Sequence, residues 1–209
     1  MPDKPLILSL PEPRTLELIF TPEKLRELRD SYRIIEGRPG EETAVLESHI
    51  SEADFVIGQP PLPTALIERA RRLKAIFNVE GNFLDNMDYE ACFERGIHVL
   101  TTSRVFAMPV AEIGLGMALC LLRDICVADR AFRTGNELWG FDGNRNARLL
   151  SESDIGFIGF GDLGQALHGL VKGFGAPVRV FDPWLPDSYL AGFGVEPASL
   201  ETVLGNSDI

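Results

Sequence analysis

The sequence predicts an α/β fold in which parallel sheets are covered by helices. Three observations carry this. Short apolar β-like runs alternate with amphipathic helical stretches along the chain. A glycine-rich loop, Gly159-Phe160-Gly161-Asp162-Leu163-Gly164, joins one such run to one such helix. Between two stretches of this kind lies a long apolar helical pattern that opens a second unit.

In chain order, Leu6-Ile7-Leu8 reads as the first strand. Thr21-Pro22-Glu23 starts a helix, with Thr as N-cap and Pro at the first helical position. Strands follow at 32–35 and 54–57, the latter ending at Gly58. A helix over 63–71 leads to a strand at 74–77, and a helix over 88–95, stopped by Gly96, leads to a strand at 97–100. This first unit covers residues 1–105. From Pro109, apolar Val110, Ile113, Met117, Leu121 and Ile125 recur at helical spacing, with small Ala111, Gly114, Gly116 and Ala118 among them. With Gly135 as its stop, this helix would run about 25 residues. Its stripe could pack inside the chain or against another subunit. After an exposed polar stretch at 142–148, a new unit is expected: strand 154–158, the glycine loop, helix 162–174, strand 178–181, a short helix near 198–204 and the start of a strand at Ser207-Asp208-Ile209.

Composition narrows the function classes. Of 209 residues, 45% are hydrophobic and 24% charged, as in ordinary globular chains. A net charge of −11 argues against a nucleic-acid partner, which needs clustered Lys and Arg. Cys92, Cys120 and Cys126 form neither a CxxC pair nor a zinc spacing, so no metal site is expected, and reduced thiols point to the cytoplasm. The uncharged apolar stretch from Ile113 to Leu122 is too short for a membrane span, which takes about 20 residues.

The glycine loop carries the chemistry. It follows an apolar strand, opens a helix, and is followed by a second strand that Asp182 closes 18 residues after Gly164. Gly159 allows the turn, Gly161 lets the backbone approach a pyrophosphate, and Gly164 lets the helix pack closely. The helix N-terminus near Asp162 and Leu163 offers N–H groups and partial positive charge to phosphates. Asp182 can accept hydrogen bonds from adenosine ribose hydroxyls and would repel a 2′-phosphate. The following Pro183-Trp184-Leu185 supplies no Arg to neutralise one, so NAD is favoured over NADP. FAD and other adenine dinucleotides share the fingerprint, and a tight turn that binds nothing would use the same glycines.

Further blocks extend the pattern: Asn78-Val79-Glu80-Gly81-Asn82 with Asp85-Asn86-Met87-Asp88, Val110-Ala111-Glu112, Arg133, Gly135, Trp139, the strand and loop from Ile155 to Gly164, Phe181-Asp182-Pro183 and Ser207-Asp208-Ile209. In order and spacing these resemble the D-isomer-specific 2-hydroxyacid dehydrogenase family over nearly the whole chain. The resemblance implies a flavodoxin-like substrate domain (residues 1–105) followed by a Rossmann NAD-binding domain (residues 106–209), here incomplete at its C-terminal end. It implies hydride transfer between nicotinamide and a small 2-hydroxy or 2-oxo acid, and dimerisation through the cofactor domain. Backbone amides of Val79, Glu80, Gly81 and Asn82 would hold the substrate carboxylate. The sequence departs from the usual short glycine loop here, carrying Glu80 and a slightly longer run, and a carboxylate turned inward would repel an anionic substrate.

The family's substrate-anchoring Arg, its acid/base His and the Glu that tunes it are expected beyond residue 209, so no catalytic residue is assigned. His49, His98 and His168 read as surface or structural, and Glu112 and Asp129 as solvated or interface charges. The alternatives to an oxidoreductase are an NAD(H)-sensing or scaffold protein on the same fold, or an inactive fragment.

Overall fold

The computed structural model describes residues 4–209, and contacts divide the chain between Ser103 and Arg104. The first unit is a five-stranded parallel sheet: β1 (Leu6–Leu10), β2 (Arg33–Glu36), β3 (Phe55–Gly58), β4 (Ala75–Phe77) and β5 (His98–Leu100). Its order is β2-β1-β3-β4-β5, the flavodoxin-like winding. The helices are α1 (Leu16–Ile19), α2 (Pro22–Ser31), α3 (Glu42–His49), α4 (Thr64–Arg69) and α5 (Tyr89–Glu94). Thr21 Oγ1 accepts the Lys24 N–H, the expected N-cap of α2, and Asp88 caps α5 by accepting the Ala91 N–H. The short α1 and the weakly patterned α3 are elements that the periodicity does not disclose.

Side-chain alternation places Leu6, Leu8, Val56, Ile76 and Val99 on one face, beneath Leu46, Ile50, Leu66, Ile67 and Cys92. On the other face, Ile7 and Ile57 meet Leu16 of α1 and Leu25 of α2. Phe77 and Leu100, on that same face of β4 and β5, stay exposed.

Asp54 ties the N-terminal ends of three strands together. Its carboxylate accepts the Leu6 N–H at 3.0 Å, Arg72 Nη2 at 3.0 Å and Lys74 Nζ at 3.1 Å. Only 2% of this side chain is exposed, so burial alone would raise its pKa. The Leu6 N–H and the two cations outweigh that and hold it below the usual carboxylate range.

The second unit opens with α6 (Ser103–Leu122), and α7 (Ile125–Arg133) follows. Two features correct the single helix expected from Pro109 to Gly135: Pro109 lies inside α6, and Asp124, left-handed at φ 52°, breaks the chain between the two helices. As an unbroken 20-residue helix, α6 is long and apolar enough by composition to cross a bilayer, which the run from Ile113 to Leu122 alone is not. The stretch at 142–148 contains a single 3₁₀ turn, Asp142–Asn144.

Then come β6 (Ile155–Ile158), α8 (Asp162–Val171), β7 (Val178–Phe181), α9 (Asp187–Ala191), β8 (Glu196–Pro197) and α10 (Leu200–Asn206). The helix expected to reach Phe174 ends at Val171 and tightens into a 3₁₀ turn, Lys172–Phe174. The sheet is parallel with order β6-β7-β8. Ser207-Asp208-Ile209 is not a strand, but the Asp208 N–H donates to Asp154 O and the Gly156 N–H to Ile209 O, so the segment lies along β6.

Replacing Asp54 by Ala is expected to destabilise the chain by about 3 kcal/mol at pH 7, because it leaves two cations and a buried N–H without their acceptor. A depressed folded-state pKa gives stability that is present above the unfolded-state value, about 3.9, and lost as pH falls through the folded value. Chemical denaturation at pH 7 and at about pH 3 checks this: the gap between variant and wild type should narrow on acidification.

Candidate functional site

The glycine loop leaves β6 at Gly159, whose φ of +90° lies in the region that favours glycine. The Gly159 N–H donates to Phe181 O at 2.7 Å, fixing the exit from β6 against the end of β7. Phe160 is fully buried, its ring among Phe157, His168 and Phe193 at centroid separations of 6.1, 5.6 and 5.3 Å. Its N–H donates to Asp182 Oδ2 at 2.7 Å and its carbonyl accepts Gln165 Nε2 at 2.9 Å. The loop is therefore clamped at its first two residues, and Gly161 leads directly into α8.

The three glycines do different work. A Cβ on Gly164 would lie 2.7 Å from Gly159 O, so the close approach of α8 to the loop needs glycine. A Cβ on Gly161 would meet nothing within 4 Å, so packing does not demand glycine there. What it leaves open is the space over the first turn of α8, towards which the N–H groups of a helix start point. Asp162 stands on that turn, with Arg104 Nε 3.4 Å from its Oδ1.

Asp182, at the end of β7, is a brace. Besides the Phe160 N–H it accepts the N–H groups of Trp184 and Leu185 on Oδ1, at 2.8 and 3.0 Å. Partial burial pushes its pKa up, but these three donors together bring it below the usual value, so it stays ionised at neutral pH. A carboxylate has about four lone-pair positions, so one remains for an outside donor. An adenine dinucleotide fits this arrangement: an uncovered helix N-terminus, a Cβ-free path to it, and a fixed anion with acceptor capacity in reserve.

The other candidate residues, Val79, Glu80, Gly81 and Asn82, follow β4 in the first unit. Val79 is buried. The Glu80 carboxylate, expected to trouble an anionic substrate, is held two-pronged by Arg14, Nε to Oε1 at 2.9 Å and Nη2 to Oε2 at 3.3 Å. The Glu80 N–H donates to Gln59 Oε1 at 3.2 Å, while Asn86 Nδ2 fixes the Gln59 carbonyl at 2.9 Å. The adjacent Asn78 is fully buried, with neither side-chain polar atom bonded within the protein.

Arg14, Gln59, Phe160 and Gln165 are contributors that sequence reasoning missed. The signal for Arg14 was an unbalanced charge at Glu80; nothing in the pattern marks the other three. Of the three histidines, only His168 packs against the loop. His168 is buried against Phe160, and burial, helped by Lys172, lowers its pKa. His49 Nδ1 lies 3.0 Å from Glu52, and His98 is exposed in β5. Asp129 pairs with Arg133 at 2.8 Å, and Glu112 is exposed.

The two glycines should therefore respond oppositely to alanine. Gly161→Ala is expected to keep the wild-type melting temperature and lose at least tenfold in dinucleotide affinity, about 1.4 kcal/mol. Gly164→Ala should lower stability by about 1–3 kcal/mol through overpacking. Thermal melts alongside NADH fluorescence titration separate these effects.

Residues 115–209 match the NAD binding domain of the D-isomer specific 2-hydroxyacid dehydrogenases. A phosphoglycerate oxidoreductase from Rhizobium etli, known from its crystal structure, is 54% identical and superposes with a TM-score of 0.79, over 98% of this chain and 63% of its own. A hydroxypyruvate reductase of Thermotoga maritima is 34% identical over 143 residues, 68% of this chain and 44% of that protein. A D-3-phosphoglycerate dehydrogenase of Methanocaldococcus jannaschii is 32% identical over 131 residues, 63% of this chain and 24% of that protein. The chain thus spans less than half the length of these two curated relatives. With a flavodoxin-like first unit and a glycine-loop second unit, the chain belongs to the D-isomer-specific 2-hydroxyacid dehydrogenase family, whose cofactor is NAD.

Proposed function

We propose that the chain supplies the substrate unit and the adenosine-binding part of the cofactor unit of an oxidoreductase that acts on a small 2-hydroxy or 2-oxo acid. The observation that carries this is the clamped glycine loop beneath an open helix N-terminus, braced by an ionised Asp182. Bound NAD would supply the hydride acceptor. Gly159, whose N–H is held by the Phe181 carbonyl, would shape the turn; Gly161, Asp162, Leu163 and Gly164 would hold the pyrophosphate through backbone N–H groups, and Asp182 the adenosine ribose. Within the segment from Val79 to Asn82, the Gly81 and Asn82 amides would take the substrate carboxylate, the Glu80 N–H being held by Gln59. The first unit would serve as the substrate domain and the second as the cofactor domain. The three unpaired thiols suit a reducing, cytoplasmic setting.

NAD should be preferred to NADP, because Asp182 meets a 2′-phosphate with a like charge and Pro183-Trp184-Leu185 offers no cation. In fluorescence titrations of the 209-residue chain, NADH should bind saturably and NADPH at least tenfold more weakly, about 1.4 kcal/mol. Asp182→Asn should narrow that ratio. Absence of saturable NADH binding would refute the reading, and equal affinities would refute the selectivity.

A homodimer through the second unit is part of the same proposal. The stripe Ile113, Met117 and Leu121 is 62%, 60% and 66% exposed, whereas Leu115, Leu119 and Leu122 of the same helix pack on the β6–β7 core. Intramolecular packing thus uses a different face of α6 from the stripe. Light scattering at increasing concentration should show a dimer, and Ile113→Glu should shift it to monomer without lowering the melting temperature.

A further inference from the structure

Glu80 is the one acid within the segment read as the substrate-carboxylate loop, and it does not stand alone. Arg14, on the segment that leaves β1, grips both of its carboxylate oxygens. Gln59, beyond the end of β3, holds the Glu80 N–H, and the Thr102 N–H, beyond the end of β5, reaches the Glu80 carbonyl at 3.5 Å. All four residues lie past the C-terminal ends of parallel strands, where open α/β sheets bind their ligands. About a third of each side chain in the Arg14–Glu80 pair is exposed, 37% and 35%, so a small anion arriving at the loop would feel both charges. Beside Arg14 lies a cavity of about 210 Å³ lined by Glu12, Glu36 and Glu42 as well as Arg14 itself. Removing the guanidinium would leave Glu12, Glu36 and Glu42 as the only charged groups of this lining.

We infer that Arg14 is a specificity-determining residue of the substrate loop: by cancelling the Glu80 charge it makes the loop receptive to an acid with a single carboxylate, and the balance between the two side chains sets how many negative charges the substrate can carry. The inference rests on the reading of the segment from Val79 to Asn82 as the carboxylate site. Its content beyond that reading is a sign rule. If the pair only braced the loop, loss of either partner would loosen the same contact and weaken ligand binding in the same direction. If the pair sets the local charge, loss of Arg14 removes a positive charge from beside the loop and loss of the Glu80 charge removes a negative one, so the two changes act oppositely on an anion. The effect must also scale with ligand charge, because a Coulomb interaction is proportional to both charges.

The test uses the full chain and two small analogues of 2-oxo acids, oxamate with one negative charge and oxalate with two, titrated while the Gly81 and Asn82 amides are followed by NMR. Arg14→Gln should weaken oxamate on the order of threefold to tenfold, and oxalate by more. Glu80→Gln should tighten both, oxalate again by more, and the double variant should return close to wild type. Arg14→Lys, which keeps the charge, should restore most of the affinity even though the two-pronged geometry is lost. Thermal melts confirm that each variant is folded. Single substitutions that shift affinity in the same direction, or equally for both probes, would overturn the inference while leaving the carboxylate-site reading intact. No response of the Gly81 and Asn82 amides in wild type, with NADH still binding saturably, would overturn the carboxylate-site reading, and this inference with it.

Discussion

The cofactor half of the chain depends on one carboxylate bonded to three backbone amides. Asp182 takes the Phe160 N–H from the glycine loop and the Trp184 and Leu185 N–H groups from its own turn. It thereby joins the end of β7 to the exit of β6. A half-buried anion would be costly if left unpaired; with three donors it becomes the stable reference from which the loop is built. On the proposed reading the same charge would also face the incoming ribose, so building the site and selecting NAD would not be separate properties. A substitution at Asp182 would then change both, which makes Gly161, whose Cβ would touch no protein atom, the cleaner probe of binding alone.

The first unit uses carboxylates in the same manner at both ends of its sheet. Asp54 closes the N-terminal end with a backbone N–H and two cations. Glu80 at the C-terminal end is held by Arg14. Their burial separates the roles. Asp54 is almost fully covered and belongs to stability, whereas the Arg14–Glu80 pair keeps enough exposure to influence a ligand. An exposed ion pair contributes little to folding, which leaves electrostatics toward a ligand as its larger effect.

How much of this was legible follows from which signals are local. Parallel strands, the two units and the three loop glycines could be read because each is written in a short window: an apolar run, a cap, a residue without a Cβ. The Arg14–Glu80 contact spans 66 positions and has no periodic signature. Phe160 fills the unconstrained position of the motif, so nothing marked its buried ring as the anchor. The break after α6 escaped because Asp124, rather than Gly or Pro, adopts the left-handed conformation. Pro109 misled for a related reason. Proline favours a helix's first turn, but here it sits well inside α6.

The apolar character of α6 has a consequence for what surrounds it. A helix that is hydrophobic all round is stable when covered on all sides, and in this chain only the side bearing Leu115, Leu119 and Leu122 is covered by the β6–β7 core. Gly114 lies so close to Leu167 of α8 that a Cβ there would come within 3.2 Å of it, so this face is built for intimate packing inside the unit. Length and composition would also suit a bilayer. To cross one, however, α6 would have to withdraw those leucines from the core and place exposed Glu112 at hydrocarbon depth. A protein neighbour requires neither. It covers the stripe of Ile113, Met117 and Leu121 while the inner leucines stay where they are, and that asymmetry favours protein rather than lipid as the neighbour of this face.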